Sequence, residues 1–252
     1  EAAAVEAEAE AEAEGEEAEA EAEAEVEEAE AEAEAEAEAE VEEAEAEAEA
    51  AEAEAARQAA AAEALQKAEE GAQATAAIKK RKQDLEADPN DPVMGNPTGA
   101  ITMVEFFDYR CGYCKRVFPT VMKVLNDNPS VRFVIKEFPI LGPESVTASR
   151  ASLAVWRTQK AKYGAFHAAL IGLRGGIPEA KILSVATQLG IDAKKLKKDM
   201  ADPEIDRILE KNYQLAQALN INGTPAFVIG GKLVPGAIDS ATMNRMIVES
   251  GD

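Results

Sequence analysis

The chain has 252 residues, 49 of them acidic and 26 lysine or arginine, for a formal net charge of -23. The imbalance is local: residues 1–56 hold 27 glutamates and no basic residue, so they carry -27 while the remainder carries +4. Such a polyanion argues against nucleic acid as a partner, no run is apolar for long enough to cross a membrane, and residues 57–252 suffice for a full core.

Residues 1–56 form a Glu-Ala low-complexity acidic tail interrupted by Gly15, Val26 and Val41. Alanine and glutamate favour helix over strand, yet glutamates at i,i+4 repel one another and no apolar stripe is present. The expectation is a solvated, extended or fluctuating helical segment acting as a spacer or charge-repelling brush. Residues 57–88 differ: an alanine-rich, mixed-charge run with Leu65, Ile78 and Leu85 that stops at Asp88-Pro89 reads as a helical linker or oligomerisation segment. Ile78 and Leu85 are spaced as in a heptad seam, while a helix lying against its own domain or in solvent fits equally.

Ile101 to Phe107 reads as a buried strand, and directly after it comes Cys111-Gly112-Tyr113-Cys114, which holds both cysteines of the chain. Residues three apart share a helical face, so two sulfurs at this spacing can close a disulfide or open to a dithiol. At a helix start, unpaired N–H groups and the positive end of the dipole favour a thiolate on the first cysteine. Arg110, Lys115 and Arg116 are expected to depress its pKa further, with Asp108 opposing them. A structural disulfide closing four residues would add little stability. A zinc site within one chain lacks ligands, since His167 is the one histidine.

The helix from Cys111 runs to about Asn126 with a bend expected at Pro119, and Val131 to Phe138 is the next strand, parallel to the first through a right-handed crossover. Residues 143–219 read as several helices broken at Gly175, Gly176 and Gly190, with starts at Asp192 and Asp202-Pro203. His167 is expected on a helix surface or half buried, without a catalytic role. Thr224-Pro225 then precedes a hairpin of two short strands about Gly230-Gly231, and a last helix begins near Asp239.

A Cys-x-x-Cys after an early strand and a Gly-Thr-Pro before a late hairpin resembles the thioredoxin superfamily. The stretch from Val104 to Arg116, the preceding Asp91 to Gly99, and the long helical region are similar to DsbA-family thiol–disulfide oxidoreductases, over roughly residues 75–252. Within the family they look most like the suppressor-of-copper-sensitivity isomerase branch, which carries an added N-terminal oligomerisation segment. The resemblance implies an α/β thioredoxin fold at 89–252 with a helical insertion at about 143–219. It implies Cys111 as the attacking cysteine, Cys114 as the resolving one, and Pro225 as a cis proline with Thr224 before it. It also places Glu105 as a buried acid that relays protons near the sulfurs; an outward-facing strand carboxylate is the other reading of that residue. The Gly-Tyr dipeptide, in place of the Pro-His of strong oxidases, implies a milder oxidant.

No cofactor is implied. The expected partners are proteins with thiols or disulfides, a membrane redox partner (DsbB-like or DsbD-like), and further copies of the chain in a homo-oligomer (trimer) through 57–88. The resemblance points to the periplasm, with the chain a mature or trimmed product because no start methionine or leader is present. Other readings are an oligomeric disulfide isomerase or reductase, thiolate-based copper handling between protomers, and a surface spacer in which the thiol domain is secondary.

Overall fold

The computed structural model describes residues 2–251, with side chains described from residue 40 onward and at 34, 36 and 38. The environment expected for side chains in the first half of the Glu-Ala tail lies outside the described residues. Two units are distinguished, Glu1–Ala68 and Glu69–Asp252. Helix α1 (Ala2–Lys80) supplies the first unit and continues into the second, and its described side chains through Gln73 are all exposed. This agrees with a sequence that has helix-forming residues and no apolar face to bury.

The second unit is built on alternation in β2 (Ile101–Phe107). Side chains two apart share a face of a strand, so Met103 and Phe107 enter one core cluster while Val104 and Phe106 enter another. The five strands run in the order β1-β3-β2-β4-β5. Here β3 is Val131–Glu137, parallel to β2, and β1 is the short Val93–Gly95, antiparallel to β3. On the other side β4 (Ala226–Ile229) is antiparallel to β2, and β5 (Lys232–Pro235) closes the hairpin. The hairpin turn uses Gly230 and Gly231 at φ 58° and 75°, which the absence of a Cβ permits.

Helix α3 (Gly112–Asp127) crosses from β2 to β3 and continues through Pro119. Between β3 and β4 come α4 (Pro143–Thr158), α5 (Lys160–Ile171), α6 (Glu179–Gln188), α7 (Ala193–Asp199) and α8 (Pro203–Ala218). The expected starts are realised, since Asp192 and Asp202 cap α7 and α8 by accepting from backbone N–H groups of the first turn. Helix α9 (Ser240–Gly251) ends the fold. No helix among the described residues is long and apolar enough to cross a membrane.

One of the two readings left open for Ile78 and Leu85 is favoured here, packing against their own domain, and the expectation for His167 is corrected. Ile78 and Leu85 do not lie along one helix as a free seam: α1 ends at Lys80, Arg81 interrupts, and Leu85 sits in α2 (Lys82–Glu86). Both are buried in the same cluster as Val104, Phe106, Val134 and Leu219 of their own domain. Burial of each is worth about 1.5–3 kcal/mol, which a seam with another chain would have to replace. Leu65 remains 67% exposed. His167 is buried, only 2% exposed, because α5 turns Tyr163, Phe166, His167 and Leu170 inward together.

The N-terminal attachment is reinforced by a buried ion pair. Lys136, on the β3 face it shares with Val134, donates to Asp91 and to the carbonyl of Asp84 in α2. Burial lowers the pKa of Lys136 and raises that of Asp91 to about 6. Lys136→Met would strand a buried carboxyl and should lower stability by about 3–5 kcal/mol, read as a shift of the urea midpoint. Adding Asp91→Leu to it should restore much of that loss.

Candidate active site

The β2–β4 register builds the site. Phe106 pairs with Ala226 in an antiparallel sense, so the chain leaving β2 and the chain entering β4 occupy the same end of the sheet. Past β2, Asp108 turns the backbone: its carboxylate accepts from Arg110 N (2.7 Å), Leu141 N (2.9 Å) and Ser145 Oγ (2.7 Å), and its carbonyl accepts from Cys111 N (3.0 Å). That places Cys111 as the N-cap of α3. Ahead of β4, the Thr224-Pro225 peptide is cis, and the Cys111 sulfur, which donates when protonated, lies 3.1 Å from Thr224 O.

Both cysteines are free. Cys111 keeps 5% exposure and Cys114 none. The Cys111 sulfur accepts from Cys114 N at 3.4 Å, the geometry of a side chain capping orphan N–H groups. Hydrogen bonding from the Cys114 thiol, aided by Thr224 and by the N–H groups of Cys114 and Tyr113, brings the Cys111 pKa down to about 5 against the opposing effect of burial. Cys114 goes the other way, its pKa raised far above the usual thiol range by burial, by its bond to Cys111 and by the charge of Glu105. One thiol is thus a thiolate at neutral pH and the other is not.

Glu105 is buried, which answers the question left open between an outward carboxylate and an internal acid. Alternation puts it on the same sheet face as Met103 and Phe107, the face that α3 covers. Burial, with a contribution from the Cys111 charge, raises its pKa to about 8.

The basic residues hold partners of their own, and Lys115 is coupled electrostatically to Cys111 as expected. Arg110 donates to Leu141 O (2.8 Å) and faces Glu144 at 3.5 Å, Lys115 donates to Leu173 O, and Arg116 lies 4.2 Å over the Tyr113 ring. They surround the site, while local hydrogen bonds dominate the depression of the Cys111 pKa. Sequence reading left the weight of Asp108 open; its bond to Arg110 N two residues on is an Asx-turn, a signal that Asp before a helix start does carry. Tyr113, 61% exposed, was not singled out. With Asn220 to Ala226, Leu233 and Pro235 to Ala237 it lines a groove of about 410 Å³ beside the cis peptide. No cluster of three metal-ligating side chains occurs among the described residues.

Two measurements check these electrostatics. Iodoacetamide alkylation of Cys111 should reach half its plateau rate near pH 5, with Cys114 unmodified throughout. For Glu105, the folded carboxyl holds its proton up to about pH 8 while the unfolded one releases it near 4.5. Its burial therefore costs nothing at acid pH and increasingly more as pH rises through that window, roughly 3 kcal/mol by pH 7. Glu105→Gln should raise the urea midpoint of the reduced protein at pH 8 and leave it unchanged near pH 4.

The DSBA-like thioredoxin domain family matches residues 102–248. The crystal structure of a thioredoxin-like oxidoreductase from Silicibacter pomeroyi DSS-3 is 42% identical, with a TM-score of 0.65, covering 68% of this chain and 97% of that one. The catalytic domain of Proteus mirabilis ScsC is 31% identical with a TM-score of 0.65, covering 70% of this chain and 97% of its own. Among curated relatives, the Na(+)/H(+) antiporter NhaA 3 of Salinispora tropica is 25% identical over 164 residues; the match takes in 65% of this chain and only 25% of the antiporter's length. With this thioredoxin fold, its helical insertion and its Cys-x-x-Cys pair, the chain belongs to the DSBA-like thioredoxin domain family.

Proposed function

We propose that this protein is a periplasmic thiol–disulfide oxidoreductase that exchanges disulfides with protein substrates through Cys111 and Cys114. The observation that carries the reading is the contact of the Cys111 sulfur with the carbonyl of Thr224, ahead of cis Pro225. It sets a low-pKa thiol beside the groove lined by Tyr113 and the Thr224-Pro225 peptide, where an extended peptide can bind.

In the oxidising direction a substrate thiolate attacks Cys111 of the disulfide form. The mixed disulfide is then displaced by a second substrate thiol, and both electrons remain on Cys111 and Cys114. In the reducing or isomerising direction the Cys111 thiolate attacks a substrate disulfide. It leaves either when the substrate rearranges or when Cys114 displaces it. Cys114 must lose a proton for that last step; once Cys111 is bonded in the mixed disulfide its charge no longer raises the Glu105 pKa, and Glu105 in its ionised form is the group proposed to take the proton. No cofactor enters these steps. The electrons are exchanged with a membrane redox partner, DsbB-like or DsbD-like, according to direction. Residues 1–56 act as a charged spacer.

Insulin reduction with dithiothreitol tests the reading. Cys111→Ser should fall to the uncatalysed rate, and Cys114→Ser should accumulate mixed disulfides visible on non-reducing gels. Full activity in Cys111→Ser would overturn the assignment. Recovery of scrambled ribonuclease by the wild-type chain, combined with an oligomeric mass by light scattering, would move the reading from oxidase to isomerase.

A further inference from the structure

Cations bracket Cys111 and outnumber the carboxylates that stand among them. On one side, Arg110 (side chain 41% exposed), Lys115, Lys181 and the exposed Arg174 gather about the loop after α5. Lys115 donates to Leu173 O, and Lys181 donates to Arg174 O at 2.8 Å and Gly176 O at 3.3 Å. Those bonds fix the ammonium groups in place without cancelling their charge, and Lys115 lies near enough to Lys181 and Arg110 to feel both. On the other side, Arg116 covers Tyr113 at the edge of the peptide groove. Two carboxylates stand within this set: Glu144, engaged by Arg110 at 3.5 Å and Ile177 N at 3.0 Å, and the buried Asp108, whose charge Lys115 also feels. Glu179 is paired with Lys197 at 2.6 Å, and the groove lining contains no carboxylate.

From this we infer that the site selects protein substrates whose reacting cysteines lie among acidic residues. The inference rests on the thiol–disulfide reading and names the substrate class for it. In this cationic collar Lys115 is coupled electrostatically to Cys111 and Arg116 lies over Tyr113 of the groove, so carboxylates flanking the substrate cysteine meet fixed positive charge as the sulfurs approach. Electrostatic steering of this kind raises association rates by about 10–10³-fold and weakens as salt shortens the Debye length. The 27 glutamates of residues 1–56 carry charge of the opposite sign, so a preference for acidic peptides has to arise against the net charge of the chain.

The test uses the full chain, dithiothreitol, and three fluorogenic peptide disulfides identical except for Glu, Gln or Lys beside each cysteine. In each turnover Cys111 bonds to one peptide sulfur as the peptide disulfide breaks and one thiolate leaves. Cys114 then displaces the second, and dithiothreitol reduces the resulting protein disulfide. At about 20 mM salt kcat/KM should fall in the order Glu, Gln, Lys over roughly a tenfold range, and the three should converge near about 500 mM. Arg174→Glu with Lys181→Glu should compress or invert the order, circular dichroism reporting that the variant is folded. If it does not fold, the wild-type salt series decides. Equal turnover of the three peptides, or a preference for Lys that salt abolishes, would overturn the acidic-substrate inference and leave disulfide exchange standing. An unchanged order in the folded variant would remove the collar as its cause. No turnover of any peptide would sink the exchange reading itself.

Discussion

Everything at the site depends on the antiparallel pairing of β2 with β4. Cys111 and Thr224 are 113 residues apart in the chain, and nothing local brings them together. Because Phe106 stands opposite Ala226, the end of one strand and the start of the other share an edge of the sheet, and the helix start and the cis peptide meet there. A slip of one residue would turn Glu105 and Phe107 to the other face of the sheet. The sulfurs would then lose the buried acid as well as the loop. The register thus sets the electrostatics as much as the shape.

Given that meeting, two chemically identical thiols are made unequal by depth and by the direction of hydrogen bonds. Cys111 is the cap of α3 and accepts; Cys114, one turn in, donates and is sealed. Each effect strengthens the other, because a thiolate on Cys111 favours the proton on Cys114 and on Glu105. The site therefore holds one negative charge where three groups could ionise, and proton movement among them accompanies any change in sulfur bonding.

Much of this was legible because it is written in short patterns. Alternation over Ile101 to Phe107, the Gly-Gly hairpin, the Asp192 and Asp202-Pro203 starts and the cysteine spacing each depend on neighbours in sequence, and each is realised. The cis state of Pro225 and the burial of Glu105 were expected through family resemblance, since both are set by strands far apart in the chain. What stayed hidden is tertiary. A three-residue strand, Val93–Gly95, is too short to show a period. Ile78 and Leu85 look like a seam until the break at Arg81 turns both inward. His167 has no local signal of burial; it is held among the rings of Phe107, Tyr109, Phe118 and Tyr163, with Nδ1 2.8 Å from the Tyr109 hydroxyl.

That buried cluster bears on how the surface behaves. Burial holds His167 neutral, its pKa lowered to about 3, and keeps the protons on Tyr109 and Tyr163. Glu137, which accepts from Ser149 Oγ at 2.6 Å, has its pKa raised to about 8, as does Glu105. At neutral pH the interior behind Cys111 thus contributes dipoles and little net charge, and Asp108 is surrounded by three donors. The field outside the site is left to the Cys111 thiolate and the arginines and lysines around it. With Glu105, Glu137 and His167 held neutral, the buried opposite charge that reaches Lys115 is that of Asp108 and Cys111, and the exposed arginines and lysines around them decide which substrates approach.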